Sequence, residues 1–415
     1  MLAYVASPMK PEELSRYADA IVLGSVAFAP GDLLVVECSI PERELAVALA
    51  ESAYRAGARG VDIVYEDPQL FAAEVRTGSD DALGALLPWQ AARSRAYGDE
   101  NVARVVIRSN DEQEVAAGLP ADRVAEATRR VREAKTWLPR QRAEGRQRYT
   151  ICVWPTPAWS QLVYGGDAAR AQRRLARDVL SFCRLGPDDP PGHRGWTRHL
   201  AQIDRRAARL TKLGFRELHL RGEGVDLHLA LPPTAVWEGG GNDDHWGRRL
   251  AMNIPTEECF VSPDAAATEG TFRCSRPRAF GGRLIEGLAG EFRSGRLVRL
   301  EAKRAADRDW VAAFLGSIPN ADRLGEIALV DSSSRIGATG RTYYNALLDE
   351  NAAAHMAFGF GFEKTRSVPL GRSRQGVNQS AVHIDVMIGT DELEATGVTA
   401  RGRRVPLVRD GLWQI

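Results

Sequence analysis

The sequence predicts an α/β protein: an amino-terminal parallel α/β domain, then a carboxy-terminal, β-rich mixed α+β domain that carries the chemistry. Three observations lead there. Strand-like and helix-like runs alternate through the first 150 residues, and from Glu217 onward the chain turns into short strands separated by glycines. The length of 415 residues also exceeds one core of ordinary size. The division expected from this is residues 1–200 and 201–415.

Each element has a local reason. "DLLVVECSI" is an apolar strand run, "PERELAVALAESAYRAGA" an amphipathic helix with Pro41 near its start, and "GVDIVYED" a second strand, which makes one βαβ unit. "VARVVIRSN" followed by "PADRVAEATRRVREAKTWLPRQRAEG" repeats the order, so the layer should be parallel. "RYTICVWPTPAW" reads as a strand near 148–159, and a helix follows from Asp167 to Cys183. "GPDDPPGHRGW" is a loop, and "HLAQIDRRAARLTKLGF" is the helix leading into the second half. There "ELHLRG", "VDLHLAL", "GTFRCSRP" and "GGRLIEGLAGEFRSGRLVRLEAKR" supply the short strands, whereas "YYNALLDENAAAHMAFG" reads as helical.

Composition excludes several classes of partner. Lys plus Arg number 55 and Asp plus Glu 54, so no global field draws the chain to nucleic acid or an anionic membrane. No apolar run reaches about 18 residues, and the amino terminus lacks the basic-then-apolar pattern of an export signal. Five dispersed cysteines without a CxxC pair suit reduced thiols in the cytoplasm.

The chemistry concentrates in four stretches of the second half. In "SAVHIDVMIGT", Val382, Ile384 and Val386 alternate with His383 and Asp385, so the strand turns one face to a core and presents imidazole and carboxylate on the other. Such a pair suits a divalent transition metal. "MNIPTEECFVSP" holds Glu257 and Glu258 between prolines, and "RLGEIALV" places Glu326 at the head of an apolar run where an uncompensated carboxylate is costly. His355 follows Glu350 by five residues, which fails the HExxH spacing. His193, His199, His219, His228 and His245 lack comparable carboxylate company and are expected to be surface or core residues. Glu258, Glu326, His355, His383 and Asp385 exceed the three ligands of one catalytic zinc and fit two adjacent ions better, with a carboxylate able to bridge them. There is no GxSxG elbow and no GxxxxGK[ST] loop, and "EGGGND" reads as a flexible loop.

The phrases "WPTPAW", "EGVDLHLAL", "VWEGGG", "NIPTEECFVSP", "LGEIALV", "NALLDENAAAH" and "HIDVMIG", in that order, resemble the M29 metallopeptidases, the aminopeptidase T and aminopeptidase S family, over essentially the whole chain. The resemblance implies a two-metal aminopeptidase or related amide hydrolase acting on peptides or a peptide-like metabolite. It also implies a homodimer and two divalent ions (Zn, Co or Mn) held by Glu258, Glu326, His355, His383 and Asp385. Glu258 is preferred over Glu257 because the family motif often has glycine in the first place; Glu257 is then a candidate proton shuttle. One departure stands out: the family's active-site tyrosine, seven residues after the DENA-segment histidine, is Phe362 here. Tyr343, Tyr344, Arg366, Arg372 and Arg374 are candidate replacement donors. Two further readings remain open on the same fold. One is a ring-cleaving dioxygenase with iron on His355, His383 and Asp385; the other is a binding protein without catalysis.

Overall fold

The computed structural model describes residues 7–415 except 101, 110–114, 116, 117, 135–140, 142–145, 147, 281 and 369–375. Arg372 and Arg374 therefore lie outside the described residues.

In the first half, β1 (Leu33–Cys38), β2 (Gly60–Tyr65), β3 (Ala103–Ile107) and β4 (Tyr149–Cys152) form a sheet in the order β2-β1-β3-β4, every neighbouring pair parallel. This is the layer expected from the βαβ pattern. Two boundaries differ, both at prolines. Pro41 sits in a 3₁₀ turn, Ile40–Glu42, and the α-helix begins only at Arg43. The strand expected across "RYTICVWPTPAW" ends at Cys152, and a helix runs from Pro157 to Tyr164. Pro155 and Pro157 have no N–H to continue a ladder, while the fixed φ of Pro157 suits a first helical position.

The second half is antiparallel. Strands β5 (Phe215–Gly222), β6 (Val225–Ala230), β10 (Thr268–Arg273), β13 (Ala289–Arg293), β14 (Arg296–Glu301), β18 (Glu394–Thr399), β19 (Arg404–Arg409) and β20 (Leu412–Trp413) make an eight-stranded sheet. A four-stranded sheet has the order β17-β16-β15-β9, from β9 (Cys259–Val261), β15 (Leu324–Leu329), β16 (His355–Gly359) and β17 (His383–Met387). Two hairpins complete it: β7 (Asn242–Asp243) with β8 (Arg249–Leu250), and β11 (Arg278–Phe280) with β12 (Arg283–Ile285). Ile327, Met356, Phe358, Ile384 and Val386 share one core with Leu218, Leu227, Phe272 and Phe292 of the large sheet. The rings of Phe272 and Phe292 lie 5.9 and 5.8 Å from that of Phe358.

The helix expected over "YYNALLDENAAAHMAFG" is confined to Ala346–Glu350, and His355 opens β16. Ladder bonds to β15 and β17 outweigh the helix propensity of the alanines.

The halves are joined by backbone pairing. Ile151 of β4 donates to Met252 O at 2.8 Å, and the Ile254 N–H donates back to Ile151 O at 2.9 Å. The segment leading to Glu257 and Glu258 thus lies along the edge of the parallel sheet, and Ile254 and Ala251 enter the core built on β1, β3 and β4.

Gly325 shows how tightly the small sheet closes. The β15–β16 register shifts between Leu324 and Glu326, and a Cβ on Gly325 would meet Phe360 O at 2.2 Å and Gly359 O at 2.5 Å. Gly325→Ala should cost about 1–3 kcal/mol of stability through this overpacking, read from the urea midpoint. A midpoint within error of the parent would show that the β15–β16 contact has room to yield.

Candidate metal centre

Register places the expected ligands on one face of the small sheet. Glu326 pairs with Ala357, which pairs with Asp385; Gly359 pairs with His383, and Ala328 with His355. Paired residues of an antiparallel sheet share a face. Between the long polar side chains stand Ala328, Ala357 and Gly359, with Met387 and Phe260 at the two ends of the His355 row, which leaves space above the middle of the sheet. Glu258 comes in from the loop ahead of β9.

The five side chains converge. His355 Nε2 lies 3.0 Å from Glu258 Oε2 and 3.5 Å from Glu326 Oε1, while His383 Nε2 lies 3.7 Å from Glu326 Oε2 and 3.2 Å from Asp385 Oδ1. Glu326 thus turns one oxygen to each histidine. In each of the triplets Glu258–Glu326–His355 and Glu326–His383–Asp385, one donor atom per residue lies within 4.8 Å of the others.

The other ring nitrogens are also fixed. His355 Nδ1 is 3.3 Å from Ala353 O, and His383 Nδ1 is 2.7 Å from Phe360 O. A carbonyl can only accept, so Nδ1 carries a proton in both rings, and a cation that displaces the Nε2 proton would find that lone pair aimed among the carboxylates. Nitrogen and carboxylate donors without thiolate suit zinc, manganese or cobalt.

Against known proteins, the thermophilic metalloprotease (M29) family matches residues 10–413. The chain belongs to the M29 family. It is 31% identical to aminopeptidase T of Thermus thermophilus over 97% of this chain and 98% of that one. It is 27% identical to aminopeptidase AmpS of Bacillus subtilis (strain 168), with the same shares covered. The solved structure of wild-type AmpT from Thermus thermophilus superposes with a TM-score of 0.85 at 29% identity, covering 97% of this chain and 99% of that one. The 2,5-dihydroxypyridine dioxygenase of Pseudomonas putida KT2440 has a TM-score of 0.52 at 13% identity over 98% of both chains, which is a likeness of fold alone.

The electrostatics of this M29 site follow from burial. Burial disfavours a charged His355, but its bonds with Glu258 and Glu326 outweigh that and hold its proton well above the usual range. His383 is likewise opposed by burial and raised by Asp385. Burial raises Glu326, with partial relief from His355. Asp385 stays low despite its burial because His383 faces it.

Several participants are invisible in the sequence pattern. Glu350 is buried, and burial with the charges of Asp385 and Glu258 pushes its carboxyl well up; Asn253 Nδ2 and Asn351 Nδ2 donate to its Oε1 at 3.1 and 3.5 Å. His199, expected to lack carboxylate company, has Nε2 3.3 Å from Glu257 Oε2 while donating to Thr256 O at 2.8 Å. His219 and His228 have carboxylates too, Glu217 at 3.0 Å and Asp226 at 3.4 Å, far from this site in the large sheet. Arg184 Nη1 lies 2.6 Å from Glu257 Oε1. Burial would raise Glu257, but His199 and Arg184 hold it below the ordinary range. In "EGGGND", Gly239 and Gly240 pack on Leu200 and Ile203 and Gly241 on Leu250 and Arg249, and with Asn242, Met252, Phe260 and Glu258 they line a narrow cleft.

Phe362 occupies the wall beside His383. Its ring is 5.0 Å from that imidazole, 5.5 Å from Phe260 and 5.3 Å from Phe360. Of the expected replacement donors, Tyr343 turns its hydroxyl to Asp178 and Thr339, and Arg366 donates to Ser262 O and Thr365 O.

A pH dependence follows for protein stripped of ions. His355 and His383 are raised above 6.5, so their stabilisation is complete below that value and is lost as pH rises through the folded one. Glu326 and Glu350, raised above 4.5, keep protons that the unfolded chain releases, which has the same sign. Asp385 has the opposite sign but acts only below its ordinary 3.8. Tm of chelator-treated protein should therefore fall between about pH 5 and pH 8, and saturating Zn or Co should reduce the slope, with Asp178 and Asp349, raised to about 6 by burial, supplying the remainder. A chelated Tm that rises with pH would contradict these protonation states.

Proposed function

We propose that the chain is a two-metal aminopeptidase that removes amino-terminal residues from peptides. Its ligands are Glu258, Glu326, His355, His383 and Asp385. The observation that carries this reading is Glu326, with one oxygen on each histidine and a further carboxylate beside each. The relatives named aminopeptidase T and AmpS, matched over nearly their whole length, support the peptide substrate.

The residues fit the ions by charge as well as by donor type. Four carboxylates, Glu258, Glu326, Glu350 and Asp385, are gathered here, and the charge of Arg278 reaches Glu350 and Asp385, which leaves a deficit that divalent cations would offset. Bound there, the ions would lower the pKa of a water toward neutrality and stabilise negative charge on the substrate's carbonyl oxygen. The remaining tasks belong to the chain. Glu257, with each oxygen engaged by a cation or imidazole, suits holding Glu258 in place better than carrying a proton. Glu350 lies outside both ligand triplets, has its Oε1 held by two amides and has a raised carboxyl. We assign it the transfer of a proton at Oε2. A mononuclear iron triad of His355, His383 and Asp385 would leave Glu258 and Glu326 unused.

Five unpaired, buried cysteines support a reducing, cytoplasmic setting. The family resemblance supports a homodimer, which sedimentation would test. Among the described residues, no helix is long and apolar enough to cross a membrane.

The deciding experiment combines ion content with turnover of aminoacyl anilides after supplementation with Co, Mn, Zn or Fe. We expect about two ions per chain, reduced occupancy in His383→Ala and Glu326→Gln, and retained ions with greatly reduced turnover in Glu350→Gln. A single iron, or full activity in His383→Ala, would overturn the reading.

Phe362 gives a separate prediction. Adding a hydroxyl beside His383 in Phe362→Tyr should raise kcat on simple aminoacyl substrates, since one donor to an oxyanion is typically worth on the order of 100- to 1000-fold and part of that is recoverable. Unchanged or lower kcat would show that the new hydroxyl does not reach the oxygen where charge develops.

A further inference from the structure

We infer that Arg278 is the hydrogen-bond donor to the developing oxyanion that Phe362 does not provide. The inference rests on the aminopeptidase reading and adds a catalytic residue to it.

The side chain projects from the β11–β12 hairpin onto the outer edge of β17. Its Nε donates to the Asp385 carbonyl at 2.7 Å, and Nη2 lies 4.0 Å from Asp385 Oδ2, with the side chain 15% exposed. The bond through Nε fixes the plane of the guanidinium beside the ligand pair His383–Asp385. Its two terminal nitrogens have no hydrogen-bond acceptor among the described residues. That distinguishes it from Arg276 on the same segment, whose Nη1 is engaged by Arg341 O and Asp349, and from Arg366 and Tyr343, whose polar atoms are committed elsewhere. Those terminal nitrogens still reach solvent rather than being sealed in the interior, so they are open to an oxygen that arrives beside Asp385. The charge of Arg278 reaches Asp385, Glu350 and Asp349, which puts it at the rim of the carboxylate cluster.

The chemistry balances without any added reagent. Water adds to the scissile carbonyl carbon and gives one proton to Glu350, which is a carboxylate when cations offset the charge of the cluster, while the C=O pair moves onto oxygen. Arg278 donates N–H hydrogen bonds to that oxygen and transfers no proton. The pair then returns, the C–N bond breaks, and the leaving amine takes the proton from Glu350. The donor acts where charge develops, so it lowers the barrier more than it tightens substrate binding.

The test uses the metal-loaded enzyme and the variants Arg278→Ala, Arg278→Gln and Arg278→Lys, with Tyr344→Phe as comparison. Three quantities are read: ion content, kcat and KM on an aminoacyl anilide, and affinity for a dipeptide phosphonate that mimics the tetrahedral anion. We expect Arg278→Ala to lose about 100- to 1000-fold in kcat, with KM changed only a few-fold. Phosphonate affinity should fall by a comparable factor and ion content at saturating metal should be unchanged. Arg278→Lys should recover part of the loss and Arg278→Gln little, because only the former keeps a charged donor. If Arg278→Ala fails to fold, the other two variants carry the same comparison.

Recovery of kcat on adding metal would mean that Arg278 only supports Asp385, and unchanged phosphonate affinity, or a loss seen instead in Tyr344→Phe, would equally overturn the proposal. A wild-type enzyme inert on every anilide would remove the aminopeptidase reading itself and Arg278's role with it, whereas an active wild type with unaffected variants removes only the latter.

Discussion

The structure depends on one costly placement: the carboxylate of Glu326, in the middle of a fully buried strand. A carboxylate there must be compensated by hydrogen bonds or opposite charge, and both of its oxygens face imidazole nitrogens. Much else about the small sheet follows from that need. Both histidines are locked through Nδ1 to backbone carbonyls so that Nε2 faces the carboxylates. Ala357 and Gly359 stand where larger side chains would fill the space. The opposite face, Ile327, Met356, Phe358 and Val386, is uniformly apolar and anchors the strands to the large sheet. The polar face is tolerated because the other is packed so completely.

The site is assembled at the seam between the two halves, which explains why the amino-terminal layer matters to it. Pairing of Met252–Ile254 with β4 fixes the backbone a few residues before Glu258. Arg184, just after the helix Ala168–Phe182, and His199, in the helix Arg194–Leu213, then hold Glu257. The same seam sets Glu350: Asn253 reaches it from one side, and the turn ahead of its helix is tied down by Asn345 to Arg108 O and Trp159 to Tyr343 O. These contacts join residues up to 237 positions apart, so movement of the parallel layer would be transmitted directly to a proposed ligand and to the proposed proton carrier.

That separation also explains what could be read from the sequence. His383 and Asp385 are legible because strand alternation is local: valines and isoleucine on one side force the polar pair to the other. Glu326 is legible as an acid in an apolar run. His355 could be named, but its strand could not, since the preceding alanines favour helix and only ladder partners at least 24 residues distant override them. Local chemistry also misled in "WPTPAW", where two prolines convert an expected strand into a helix start. His199, Arg184 and Arg278 had no local signature at all. Each acquires its role only when a distant helix or hairpin is folded against a ligand.

The aromatic wall gives the replacement of the tyrosine its physical meaning. Phe260, Phe360 and Phe362 surround one side of His383, with the rings of Phe360 and Phe362 within 5.0 Å of the imidazole. Removing a phenol from such a place takes away one neutral donor and leaves the surroundings drier. In a drier site each remaining charge acts over a lower effective dielectric. Lys364 is held over Phe260 at 5.0 Å and bonded to Asn242 at 2.8 Å, at the cleft side of the wall, while Arg278 stands at the other end of the β17 ligand pair. On the proposed reading, negative charge at this site would be stabilised by cations rather than by a hydroxyl.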